Sequence, residues 1–130
     1  IFSGVQQQNG RLETKEIKSN NEVLMDRIMK AISRNLDKNE FGVDDLAKEV
    51  GLSRSHLQRK MKEQTGLNVA EFIRNIRLEQ AARLLKEQKI NVSQVAYSVG
   101  FSNLAHFSTV FKKHFGVTPT EYIAKIERGQ

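Results

Sequence analysis

The sequence predicts an all-α protein of seven helices, two helix-turn-helix subdomains bridged by a long central helix. Three observations predict it. Apolar residues recur at helical spacing along the chain, and no segment alternates with the period of a strand. The pattern Val43, Leu46, Ala47, Val50, Gly51, Ser53 returns with identical spacing as Val92, Val95, Ala96, Val99, Gly100, Ser102. Between the two copies lies one long apolar-faced segment without a breaker.

Taken in order, residues 1–21 are polar, with Gln6, Gln7, Gln8, Asn9 and Gly10 and no periodic face, and read as a linker or tether. The first subdomain covers 22–68. Met25, Ile28, Met29, Ile32 and Leu36 form a helical stripe over 22–37, and Phe41 plugs the first core. Helices at 43–50 and 54–64 follow. Ala47 permits a close helix crossing, Gly51 supplies a left-handed turn, and Ser53 caps the next helix. The linker helix spans 69–88, with Val69, Phe72, Ile73, Ile76, Ala81, Leu84 and Leu85 on one face. The second subdomain, 89–130, holds helices at 92–99, 103–115 and 119–127, with Gly100 and Ser102 repeating the roles of Gly51 and Ser53.

The repeat continues to the end of each unit. Gly66-Leu67-Asn68-x-x-Glu71-Phe72-Ile73 matches Gly116-Val117-Thr118-Pro119-x-Glu121-Tyr122-Ile123 in type. Both read as a glycine C-cap, a capping residue and a glutamate that closes a capping box. Pro119, the sole proline, falls at the first helical position, where a missing N–H costs nothing.

Composition narrows the function classes. The hydrophobic content of 38% supports a core. A unit of about 50 residues alone is marginal, so the two units should lean on a shared element. Without cysteine there is neither a disulfide framework nor a thiolate zinc site, which suits an intracellular, cytoplasmic protein. No apolar run suits a membrane span, so no membrane contact by this segment is expected. The chain begins at Ile1 without an initiator Met and reads as a fragment of something longer.

The net charge of +6 favours a polyanionic partner. Residues 53–66 carry +3 and 103–115 carry +2, whereas 43–50 carries −2. Two helices joined by a short glycine-containing turn form the motif that enters the DNA major groove. The expected partner is therefore double-stranded DNA. The linker helix, roughly 28 Å at 1.5 Å per residue, could set two reading helices near the ~34 Å of one DNA turn.

Helix geometry selects candidate side chains. With Leu57 and Met61 facing the core, Ser55, Arg59 and Lys62 point outward, flanked by His56 and Gln58. Arg59 suits bidentate pairing with guanine, and Gln58 with adenine. Arg54, His56, Lys60 and Lys62 are the phosphate candidates, although such a face can also be merely solvated. In the second helix Phe107 and Phe111 face the core, leaving Ala105, Thr109 and Lys112 outward. His106, Lys112 and Lys113 are phosphate candidates there. His56, His106 and His114 have no spacing that completes a ligand set, so neither a metal nor another cofactor is expected. Asp44 and Asp45 face no nucleophile and read as solvated helix N-terminal charge; nothing points to an enzyme.

Gly51–Gly66 (GLSRSHLQRKMKEQTG), 77–85 (RLEQAARLL), 95–103 (VAYSVGFSN) and 111–122 (FKKHFGVTPTEY) together resemble the C-terminal DNA-binding domain of AraC/XylS transcription regulators. The resemblance covers about residues 24–125 and implies a homeodomain-like, AraC-type arrangement. It implies base contacts at Ser55, Gln58 and Arg59 in the first copy and at Leu104, Ala105, Ser108 and Thr109 in the second. Two positions depart from the pattern: Thr109 stands where relatives often carry Arg, and His106 where an aromatic is usual. The second helix thereby offers methyl groups to thymine but few hydrogen bonds, and Leu104 could equally belong to the core. The stretch 72–78 (FIRNIRL) further resembles output domains of hybrid two-component sensors. That implies an activator with residues 1–21 as its tether, RNA polymerase as a further partner, and dimerisation through regions outside this fragment. The alternative from another class is a helical protein-interaction module that recruits a transcription partner.

Overall fold

A computed structural model describes residues 19–129. Among them the chain forms seven helices and no strand: α1 (Asn20–Arg34), α2 (Val43–Val50), α3 (Arg54–Thr65), α4 (Val69–Glu87), α5 (Val92–Ser98), α6 (Leu104–Phe115) and α7 (Pro119–Glu127). None of these helices is long and apolar enough to cross a membrane.

The first helix differs from the 22–37 expected. It starts earlier because Ser19 and Glu22 close a capping box, the Ser19 Oγ accepting from the Glu22 N–H and the Glu22 carboxylate from the Ser19 N–H. It stops at Arg34 because Asn35 folds back, its Nδ2 donating to the Ala31 carbonyl (2.7 Å) and to Glu49 (2.9 Å). Residues 19–21 of the segment read as tether thus cap and open α1, and residues 1–18 lie outside the described residues.

The turns follow the glycines. Gly51 adopts φ 75° and Gly100 φ 97°, the left-handed conformation each turn requires. Ser53 caps α3, accepting from the His56 N–H. The second unit is different: Asn103, not Ser102, caps α6. One extra residue separates Gly100 from the helix, so the cap moves on by one, while Phe101 packs into its core as Leu52 does in the first unit.

Two cores result. Ile28, Ile32, Phe41, Leu46, Val50, Leu57, Met61, Val69 and Ile73 belong to the first. Leu78, Ala81, Leu85, Val95, Val99, Phe101, Phe107 and Phe111 belong to the second. Helix α4 serves both, but not with the single face expected. Its first half buries Val69 and Ile73, and its second half buries Leu78, Ala81, Ala82 and Leu85. At 100° per residue these stripes lie on roughly opposite sides of the helix. Phe72, Ile76 and Leu84 are only half-buried, while Leu78 and Ala82 carry burial that a single stripe would not assign to them. An Ile76→Ala change therefore costs less than a fully buried site would.

The junction of the two cores is held by Arg77. Its buried guanidinium donates to the carbonyls of Leu36, Lys38 (2.9 Å) and Val99 (2.7 Å). Leu36 packs against both cores. Gly100 is pressed against Arg77 so closely that a Cβ would collide with the guanidinium and with the Leu36 carbonyl. Burial pushes the Arg77 pKa below its ordinary value, and Asp37 and Glu40 oppose that shift. A guanidinium stays protonated throughout. The arrangement also repeats: in the first unit Arg27 donates to the carbonyl of Val50 (2.9 Å), the counterpart of Val99. Each unit thus repeats a three-helix arrangement, α1-α2-α3 and α4-α5-α6, with an arginine of its first helix closing the end of its second, and α4 also packs into the first core, so the two modules share it.

Two outcomes are expected. Arg77→Ala leaves three carbonyls without a charged donor and should cost about 2–4 kcal/mol in denaturant unfolding, splitting one transition into two as the modules uncouple. At the other end, the Thr118 backbone N–H and hydroxyl, with Lys112 and Lys125, hold the Glu121 carboxyl below the ordinary carboxylate range. Glu121 therefore supports α7 above the ordinary carboxylate range, and that support is lost as pH falls through the lowered pKa. Glu121→Gln should flatten the acid limb of a thermal-midpoint profile.

Candidate nucleic-acid interface

Both candidate reading helices are fixed from below and open above. Leu57 and Met61 anchor α3, and Phe107 and Phe111 anchor α6, all four fully buried. The α6 anchor is aromatic throughout: Phe107 and Phe111 lie with centroids 5.6 Å apart, and Phe111 meets Tyr122 of α7 edge-on at 5.6 Å.

Ser55, Arg59 and Lys62 are exposed on the outer face of α3, and none of them has a side-chain partner among the described residues. The flanking residues behave differently. The Oε1 of half-buried Gln58 accepts the Val69 N–H at 3.1 Å, so this side chain docks the start of α4 against α3. Arg54 reaches Asp44 of α2 at 2.9 Å, an exposed pair of small energetic worth. Lys60 turns towards α1, its Nζ donating to Asn21 at 3.3 Å and lying 3.8 Å from Glu63. His56 is half-buried beside it. The +3 of this segment thus resolves into two unengaged outward cations, Arg59 and Lys62, and two that are tied locally.

On α6, Leu104, Ala105 and Thr109 are exposed and Ser108 is half-buried. Leu104, at 37% exposure, stands outside the core that its helical angle left open. The Thr109 hydroxyl donates back to the Ala105 carbonyl at 3.0 Å, which turns its methyl outward as the other apolar groups of this face. Lys112 and Lys113 are exposed. His106 is exposed with its ring 6.0 Å from that of Phe101, and His114 pairs with Glu79 of α4 at 3.0 Å. Among the described residues no group of three or more His, Asp or Glu could hold a metal ion. Asp45 accepts the Gly42 N–H at 3.0 Å, so the acidic pair of α2 serves one cap and one ion pair.

Sequence reasoning missed two arginines of α4. Arg77 holds the junction, and half-buried Arg74 lies between α4 and both reading helices. A signal was present but out of register by one: Arg27 stands 16 residues ahead of Val43 and Arg77 15 ahead of Val92.

Two helix-turn-helix modules sharing one helix, each with an open polar or methyl-bearing face on its last helix, define a DNA-binding domain. A family model described as a helix-turn-helix domain matches residues 46–125. The chain belongs to the AraC-type helix-turn-helix family of DNA-binding transcription regulators. It is 36% identical over 102 residues to the probable transcription factor PqrA of Proteus vulgaris, covering 78% of this chain and 84% of that protein. It is 41% identical over 106 residues to histidine kinase P4 of Formosa agariphila, covering 82% of this chain but only 8% of that protein. The DNA-binding domain of AdpA, a global transcriptional factor solved with a target DNA, superposes with a TM-score of 0.74 at 26% identity. That match covers 82% of this chain and 95% of that one.

Gln58→Ala should cost about 1 kcal/mol of stability, because the Val69 N–H loses its acceptor at a helix start. Urea titration of the two proteins measures the difference directly.

Proposed function

We propose that this chain is the sequence-reading output domain of a larger two-component signalling protein, working in the cytoplasm as a transcription activator. The observation that carries the reading is the pair of outward faces, Ser55, Arg59 and Lys62 on α3 and Ala105, Thr109 and Lys112 on α6, presented by modules that share α4. Helix α3 supplies the hydrogen bonds that discriminate bases, with Arg59 towards guanine. Helix α6 supplies methyl contacts from Leu104, Ala105 and Thr109, with Lys112 and Lys113 on phosphate. Gln58 keeps its Nε2 for a base while its Oε1 stays on Val69, and Ser55 and Ser108 complete the two sets. His56 and His106 are further phosphate contacts, and the locally tied Arg54 and Lys60 reach phosphate only if their present contacts open.

The two-component placement is supported by the 41% identity to a histidine kinase of which the chain spans 8%. RNA polymerase as the activator's partner, and dimerisation through segments outside residues 1–130, belong to the same proposal.

Selection from randomised duplexes followed by footprinting is the test. Two protected major-groove patches about one turn apart on one face are expected. Protection of neither patch would leave the chain a protein-interaction module. At the selected site, Arg59→Ala should lose about 1–3 kcal/mol of preference over random DNA. An equal loss on both duplexes would reduce Arg59 to a phosphate contact.

A further inference from the structure

A cleft of about 460 Å³ opens between the two modules. One wall is the first half of α3 with the α1–α2 connection, the other the α5–α6 turn and the start of α6. Its floor is the flank of α4 that carries Ala70, Ile73, Arg74 and Arg77. At 100° per residue this flank lies between the two stripes that α4 buries in the two cores. Arg54, Arg74, Arg77 and His106 line the cleft, and no carboxylate does.

The three arginines differ in what they hold. Arg54 is paired with Asp44, and Arg77 is committed to three carbonyls. Arg74 is half-buried, and among the described residues nothing hydrogen-bonds or ion-pairs with it. Asp44 serves Arg54, and Asp37 and Glu40 act on Arg77, which leaves Arg74 as the partly desolvated cation without a partner, one that raises the local potential and attracts an anion.

We infer that Arg74 binds a backbone phosphate of the DNA segment lying between the two major-groove half-sites. The inference rests on the DNA-reading proposal above. A duplex that meets both α3 and α6 must cross the mouth of the cleft that they wall. What it presents there is the minor groove separating two successive major grooves, bordered by phosphates. A guanidinium fork matches phosphate oxygens in a bidentate way. Such a contact carries no base information, but it fixes the register of the two modules on one duplex. Arg74 thus positions the modules, and Arg77, three residues on, fixes the angle between them.

The test uses the 130-residue chain and the duplex selected for it. Arg74→Ala should weaken binding about tenfold at moderate salt and lower the slope of log K against log salt by about 0.9, one phosphate's worth. Neutral methylphosphonates placed singly between the half-sites should weaken the wild type at one or two positions and leave Arg74→Ala indifferent there. Arg74→Lys should recover part of the slope and reports the same contact should the alanine variant fold poorly. An unchanged slope with a wild-type methylphosphonate profile overturns the assignment. So does a loss that depends on whether the spacer is A·T or G·C, which would mean a base-edge contact. A wild type that protects no site overturns the DNA-reading proposal itself, a separate result.

Discussion

The buried guanidinium of Arg77 is the interaction on which the two-module arrangement depends. Helices α1 and α5 run their C-terminal ends towards the same point, and each leaves carbonyls that no helix can satisfy. Leu36 and Lys38 supply two of them beyond α1, and Val99 supplies the third at the end of α5. A cation there meets the negative ends of two helix dipoles as well as three acceptors. Burying a charge is costly unless it is hydrogen-bonded, and three of the guanidinium's five N–H groups are engaged on carbonyls. Gly100 is the steric counterpart, since any side chain at that position would occupy the space of the guanidinium.

With that junction in place, α4 can bury opposite faces in two cores without the modules drifting apart. The first module is built on aliphatic packing, the second on a chain of aromatic contacts from Phe101 through Phe107 and Phe111 to Tyr122. The reading faces diverge as well. Helix α3 presents a hydroxyl and two free cations outward, and α6 presents Leu104, Ala105 and Thr109 together with Lys112. Equivalent scaffolds thus hold unequal faces, which suits a division between discrimination and placement.

The charge of the molecule carries less information as a sum than as an account of what each group already holds. Arg27, Arg34, Arg54, Lys60 and Arg77 are engaged inside the described chain. Arg59, Lys62 and Arg74 have no partner among the described residues. These three lie on the outer face of α3 and in the cleft beside it, and exposed Lys112 and Lys113 add to them on α6, so both helices offer charge to an approaching polyanion.

The residues alone determined the seven helices, the doubled helix-turn-helix and the family, because each rests on local rules of period, cap and turn. Gly51, Gly66, Asn68, Thr118 and Pro119 stand where those rules require them. The ends of α1 and the cap of α6 were less legible: the Ser19–Glu22 box lies outside the apolar stripe, and the extra residue between Phe101 and α6 shifts the cap from Ser102 to Asn103. Outward positions such as Ser55, Arg59, Ala105 and Thr109 could be placed by helix angle, since the core side of each helix was unambiguous. What only the tertiary structure decided is which polar groups remain free. Gln58 reaches Val69, Lys60 reaches Asn21, and Arg77 reaches Leu36, partners 11, 39 and 41 residues away. A helical wheel assigns a side chain to a face, but whether that side chain is spent or available depends on which other element the fold brings against it.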